Sequence, residues 1–327
     1  MKKLLTPNIC IAVYNEEKTI ENSLSSLADS LDKLNFLSKP SIYVCLNGCT
    51  DKSEDKIKTL LSKINYSLII LKSERGKMNA HKKMIAAINN EKPVIFMDAD
   101  IIVTPDAISK LISLLSNDPK VRIASGYPYV RLINLKNLYQ KIVFPIINIK
   151  RIYPEIEICK YNVGKFHPDA KSYFERRSRL YFHGRFFIIR NKAVYEFPNK
   201  KSKIVGDDMF LSHLIINKYP PGSIKVIYDA KVYSYPQLSI SEYLKTWYRI
   251  LKDIDNFYLE YPQFIKNRKY FKMSINWRFF IKNLTLREKL NALLFSILRI
   301  FEGITYKVLR FNIDTNEIWR YNVKRSY

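Results

Sequence analysis

Through its first 130 residues the chain alternates short apolar runs with amphipathic segments. Asn8 to Tyr14, Ser41 to Leu46, Ser67 to Leu71 and Pro93 to Met97 have the length and composition of buried strands. Between them, Glu16 to Leu34, Lys52 to Ile64 and Lys77 to Ile88 place Ile, Leu or Met at intervals of three and four, which predicts helices. Thr104-Pro105-Asp106 offers an N-cap and a proline at the first helical position, opening a further helix to about Leu115. Strand and helix in strict alternation predict a mostly parallel α/β sheet flanked by helices, because parallel neighbours need crossover connections. Strand ends and helix starts then meet along one edge, at Asn15, Asn47, Glu74 to Gly76 and Asp98 to Asp100, where open sheets of this kind hold ligands.

Beyond Val121 to Gly126 the order is less regular. The pattern predicts helices near Leu135 to Lys150, Asp207 to Asn217 and Ile240 to Tyr258, and strands at Phe182 to Arg190 and Ile224 to Tyr228. A length of 327 residues suits one large domain, taken as 1–260, with a basic amphipathic helical extension over 261–327. Residues 264–327 hold 14 Lys or Arg against 4 Asp or Glu, so this stretch carries +10 of the net +25. So strong a positive charge favours anionic partners: nucleotides, nucleic acid or a phospholipid surface. Hydrophobic residues at 47% and charged residues at 26% exclude a disordered chain. Four thinly spread cysteines, Cys10, Cys45, Cys49 and Cys159, argue for buried thiols in a reducing cytosol rather than disulfides or zinc. Thr6-Pro7 breaks the opening run after Leu4 and Leu5, so no secretory leader is expected and the expected location is cytoplasmic. The stretch Leu290 to Phe301 is interrupted by Arg299 and falls short of the ~20 residues of a membrane span. Its stripe of Leu290, Leu293, Leu294, Ile297, Leu298 and Phe301, flanked by Arg287, Lys289, Arg299, Lys307 and Arg310, suits either an anionic membrane surface or packing on the catalytic domain.

Five motifs could carry chemistry. In Phe96-Met97-Asp98-Ala99-Asp100 a buried strand ends in two acids one residue apart. Side-chain alternation puts both carboxylates on one side, where they either share a divalent cation, Mn2+ or Mg2+, or cap the following turn. Two close anions repel unless a cation or donor compensates, and such a cation completes its shell with phosphate oxygens, which suggests a nucleotide diphosphate. The strand ending Val13-Tyr14 runs into Asn15-Glu16-Glu17, polar atoms placed where a base or ribose could dock, or simple compensation of a helix dipole. Asn47-Gly48-Cys49-Thr50-Asp51 is a glycine turn feeding a capped helix. Arg75-Gly76-Lys77, with Asn79-Ala80, opens another helix beside two cations and suits phosphate or ribose. Gly206-Asp207-Asp208-Met209 starts a helix with paired carboxylates, one free to cap it and the other to accept a proton from a sugar hydroxyl.

In order and separation these motifs resemble the family 2 glycosyltransferases of the GT-A (Rossmann-like) fold, over roughly residues 8 to 255. The resemblance implies inverting transfer of a sugar from a nucleotide-diphosphate donor to a hydroxyl acceptor, glycan, lipid-linked or anionic. It implies that Asp98 and Asp100 hold the metal, that Lys77 steadies the donor, and that Asp208, beside Asp207, is the base. Val13, Tyr14, Asn15, Glu16, Asn47, Gly76, Asn79 and Asp98 would line the donor side. Thr246-Trp247-Tyr248-Arg249 loosely matches an arginine-tryptophan signature, with Arg249 a diphosphate contact and Trp247 core packing. His183-Gly184 falls where the family places an acceptor loop. Leu46 stands where many members carry a uracil-contacting aspartate, which leaves the donor base open. The basic, aromatic stretch from Lys165 to Lys203 suits an anionic acceptor or a solvated loop. Nucleotidyl transfer to a sugar phosphate is a rival, but the glycine-rich loop it uses near the N-terminus is missing. A noncatalytic nucleic-acid-binding protein would suit the charge, yet it leaves both Asp pairs unexplained.

Overall fold

The computed structural model describes residues 3–61, 64–159, 181–198, 206–271 and 273–309. In chain order the elements are β1 (Asn8–Val13), α1 (Ile20–Asp32), β2 (Ser41–Asn47), α2 (Ser53–Leu61), β3 (Ser67–Ser73), α3 (Lys77–Ala87), β4 (Val94–Asp98), β5 (Ile101–Ile102), α4 (Pro105–Asn117) and β6 (Ile123–Val130). There follow α5 (Leu138–Ile147), α6 (Ile149–Ile152), β7 (Glu157–Cys159), β8 (Phe186–Ile189), α7 (Asp207–Lys218) and β9 (Ile224–Ser234). The chain continues through α8 (Ile240–Glu260), β10 (Met273–Ile275), α9 (Trp277–Asn283) and α10 (Leu286–Leu309). The described residues divide into two compact units, 3–61, 64–128, 181–198 and 206–234 in the first, and 129–159, 235–271 and 273–309 in the second. The division falls at Pro128 and Ser234, and within the second unit α8 packs with α10 and α5.

The first unit is built on an eight-stranded sheet in the order β3-β2-β1-β4-β8-β6-β9-β5. The expected parallel arrangement holds from β3 to β4, where each strand pairs in register with its neighbour, Asn8 opposite both Ser41 and Val94. From β4 onward the sheet turns antiparallel: β8 runs against both β4 and β6, and β5 against β9. Alternating strand and helix dictated only the first half. Strand β8 enters next to β4 from far along the chain, which no local pattern announces. The core lies between the sheet and α1, α2 and α4, with Ile9, Ile11, Leu24, Leu27, Ile95 and Leu111 all buried. Thr104 accepts a hydrogen bond from the Ala107 N–H, with Pro105 opening the helix, as its sequence predicts.

In the second unit Val143, Ile147, Ile149, Tyr243, Ala292 and Phe295 form the core. The helix expected from Leu135 to Lys150 is divided into α5 and α6. Pro145 removes a backbone donor within α5. Asn148 ends that helix, its Nδ2 donating to the Phe144 carbonyl at 3.0 Å and to that of Gln237 at 3.1 Å. Trp247 packs against this core as expected, with the Arg299 guanidinium 4.0 Å from its ring centroid.

Candidate active site

The turns after β1, β2 and β3 are tied to one another by their own polar groups. Asn15 sits in the left-handed region at φ 54°, which asparagine tolerates better than most residues. There its Oδ1 accepts the Thr50 N–H at 2.7 Å and its Nδ2 donates to the Thr50 hydroxyl at 3.1 Å. The backbone N–H of Glu16 donates to Ser53 at 2.8 Å, and the Val13 carbonyl accepts from the Cys49 thiol at 3.2 Å. Asn47 reaches the third turn, its Oδ1 accepting the Gly76 N–H at 2.6 Å. Asn79 returns a bond to the Arg75 carbonyl at 3.1 Å, and the Arg75 guanidinium lies 4.9 Å from the Tyr14 ring centroid. The expected donor-side residues therefore share one edge. Asn15 and Asn47 spend their amides on bracing the loops.

The two acid pairs, far apart in sequence, meet on Lys77. Its ammonium lies 2.8 Å from Asp98 Oδ1 and 3.4 Å from Asp207 Oδ1, and donates to the Gly184 carbonyl at 2.9 Å. Burial by itself would lower the pKa of Lys77, but Asp207 and Asp98 outweigh it and hold the ammonium above its usual range. Burial raises Asp98; Lys77 opposes that rise, and Asp100 adds to it. Asp207 is only 3% exposed, and burial, opposed by Lys77 but reinforced by Asp208 and Asp98, pushes its carboxyl up to about 7. Its Oδ2 has no hydrogen-bond partner among the described residues. The neighbouring His81 is held well below its usual pKa by burial and by Lys77, so its contact with Asp207 at 3.5 Å is not an ion pair. The His81 Nδ1 lies 2.6 Å from the Tyr195 hydroxyl instead.

Asp208 accepts from the Tyr181 hydroxyl at 2.5 Å and from the Gly184 N–H at 3.3 Å. Gly184 thus joins the two acids of α7 to Lys77 of α3. A Cβ at that position would stand 3.0 Å from Asp207 Oδ1 and 3.1 Å from Asp208 Cβ. Gly184→Ala is accordingly expected to cost about 1–3 kcal/mol and to displace the acid pair. Thermal unfolding read beside turnover checks this, and an alanine variant unchanged in both would show that the start of α7 yields freely.

The sequence pattern missed two members of the cluster. Arg185 lies beside Asp98 across the antiparallel ladder, the Asp98 N–H donating to its carbonyl at 2.8 Å, while its guanidinium reaches Asp100 at 3.2 Å. Tyr181 stood out only as one aromatic in a basic stretch. Both arrive through the β4–β8 pairing, so nothing local marked them. His183 lies on the same segment, its N–H bonded to Ser125 at 3.0 Å and its ring 4.8 Å from that of Tyr127. Arg249 is half-buried on α8 in the second unit. Most of the stretch from Lys165 to Lys203 lies outside the described residues.

Four carboxyl groups here face two cations, Lys77 and Arg185. That excess of negative charge fits a divalent cation, since the alternative is to take up protons. Among the described residues no group of three or more His, Cys, Asp or Glu could hold a metal ion. A carboxylate pair nevertheless suffices for Mg2+ or Mn2+ when phosphate oxygens complete the shell.

The acids thus come together at one edge of the sheet, Asp98 at the end of β4 and Asp207 and Asp208 at the start of α7. The family described as Glycosyl transferase family 2 matches residues 8–196, more than half of the chain, and the protein belongs to that family. Among curated relatives, poly-beta-1,6-N-acetyl-D-glucosamine synthase of Staphylococcus aureus (strain COL) is 31% identical over 121 residues, 37% of this chain and 28% of that protein. The corresponding synthase of Staphylococcus epidermidis is 28% identical over 121 residues. The match therefore spans little more than a quarter of these relatives' length. Among solved structures, a mannosyltransferase from Pyrobaculum calidifontis, in complex with GDP-Man and Mn2+, superposes with a TM-score of 0.52 at 14% identity. That superposition covers 98% of this chain and 80% of the other, and it shows the shared GT-A fold.

Proposed function

We propose that this glycosyltransferase acts with inversion, using Mn2+ or Mg2+ to transfer a sugar from a nucleotide-diphosphate donor to the hydroxyl of a glycan or of a lipid-linked or anionic acceptor. The observation that carries the reading is the convergence of both acid pairs on Lys77 at the ligand-binding edge of the sheet. Asp98 and Asp100 would hold the cation, which when bound offsets negative charge on the departing diphosphate. Lys77 adds a fixed positive charge beside Asp98, preorganised by its bond to the Gly184 carbonyl. Asp208 accepts the proton of the incoming hydroxyl, its carboxylate oriented by Tyr181 and by the Gly184 N–H. His183 borders the acceptor side, and the braced turns from Val13 to Glu16 and around Asn47, Gly76 and Asn79 receive the nucleoside. In a direct displacement the sugar carbon gains a bond to the acceptor oxygen as its bond to the diphosphate breaks, so no covalent enzyme intermediate is needed.

The test is donor hydrolysis across a panel of nucleotide sugars with Mn2+ titrated, alongside direct Mn2+ binding. Asp98→Ala and Asp100→Ala are each expected to lower metal-stimulated turnover at least about a hundredfold and to weaken Mn2+ binding. Full metal-dependent turnover in either variant would overturn the metal assignment.

A further inference from the structure

We propose that the outward face of α9 and α10 docks on an anionic phospholipid surface. Helix α10 uses one face within its own unit. Ala292, Phe295, Glu302 and Tyr306 are buried there, and the Tyr306 hydroxyl donates to Asp255 at 2.7 Å. On another face Leu286, Leu290, Leu293, Ile297, Ile300 and Ile304 recur at intervals of four and three, and each is more than half exposed. Helix α9 adds Trp277 and Ile281, one turn apart and 57% and 63% exposed. A row of large apolar side chains this long costs free energy in water unless something covers it.

The charges beside the row select the cover. Arg278, Lys282, Arg287 and Lys307 are exposed on these two helices. Their only acids are Glu288, half-buried, and Glu302, buried. Glu288 is bonded by Tyr153 and Thr285, while Glu302 takes Arg299 at 2.8 Å and the Tyr243 hydroxyl at 3.0 Å. The face is therefore apolar and basic with no exposed acid. A second copy of the chain would bring the same positive charges against it, whereas anionic headgroups complement them. At 24 residues α10 is about 36 Å long. No helix among the described residues is long and apolar enough to cross a membrane, so α10 would lie along the surface with its stripe at the acyl boundary and Trp277 at headgroup level.

The experiment is flotation of the full chain with vesicles of phosphatidylglycerol and phosphatidylcholine in equal parts, and with phosphatidylcholine alone. Binding is expected to the first vesicles, to weaken with salt, and to fall about thirtyfold for the pair Leu293→Ser and Ile297→Ser. Both positions are exposed, so donor hydrolysis by that variant should equal that of the parent protein. Quenching of Trp277 by brominated lipid, lost in Trp277→Phe, supplies an independent reading of the bound face. Equal flotation with both vesicle types, undiminished binding by the double variant, or a dimer in sedimentation that the double variant abolishes would overturn the proposal.

Discussion

Asp208→Asn is expected to lower the rate of sugar transfer by about a thousandfold while the KM for the donor stays close to that of the parent protein. Asparagine keeps the volume and can still accept from Tyr181 and the Gly184 N–H, which now bond Asp208 at 2.5 Å and 3.3 Å. It cannot take up the hydroxyl proton at neutral pH. Thermal unfolding should move by no more than about 2 °C, because no buried charge loses its partner. Steady-state kinetics with varied donor and acceptor make the measurement. A donor KM that rises in step with the fall in rate would assign Asp208 to donor binding, and an unchanged rate would remove it from the chemistry.

Lys77→Met should destabilise the first unit by about 3 kcal/mol at neutral pH and abolish measurable transfer. Removing the ammonium leaves Asp98 and Asp207 without the partner they hold at 2.8 Å and 3.4 Å. The sign of the pH dependence follows from Asp207. Its carboxyl is raised from about 4 in the unfolded chain to about 7 when folded. Between those values the folded protein keeps a proton that the unfolded chain has released. The stabilisation is complete below about pH 4 and is lost as the pH rises through about 7. Without Lys77 that carboxyl should rise further, so the variant is expected to lose most relative to the parent at pH 8 and least at pH 5. Urea midpoints at both pH values check this for the parent, Lys77→Met and Asp207→Asn, the last of which should show a flatter pH dependence. A deficit in Lys77→Met that is constant with pH would mean that Lys77 acts through packing rather than charge.

The parallel half of the fold was legible because each of its rules is local. Apolar runs of strand length such as Asn8–Val13 must be covered on both faces, and the segments between them carry helical stripes such as Ile20, Leu24, Leu27 and Leu31. The glycine turns and terminal acids then fall at strand ends by the same spacing. The antiparallel half was not legible in this way. Strand β8 spans only Phe186–Ile189, shorter than the expected Phe182 to Arg190, and residues 181–184 lead to the site instead of extending the ladder. Strand β9, by contrast, runs on to Ser234, since Ala230, Val232 and Ser234 keep the alternation of buried positions past Tyr228. The stripe on α10 was visible as a periodicity, but which residues face the core depended on the helices it packs against. Leu298 joins the second unit's core, whereas Leu290, Leu293 and Ile297 remain exposed.

The amino-acid sequence by itself determined which residues are candidates to carry chemistry: two acid pairs, a lysine at a helix start, and the turns that present them. Local spacing sets such features because each depends on neighbours a few positions away. The tertiary structure decided how they are used. Lys77 lies between acids more than a hundred residues apart, Arg185 reaches Asp100, and Gly184 brings its backbone against Asp208. Those contacts exist because β8 pairs antiparallel to β4, and a pairing between distant strands follows from how the whole sheet buries its faces, which no short window of sequence contains.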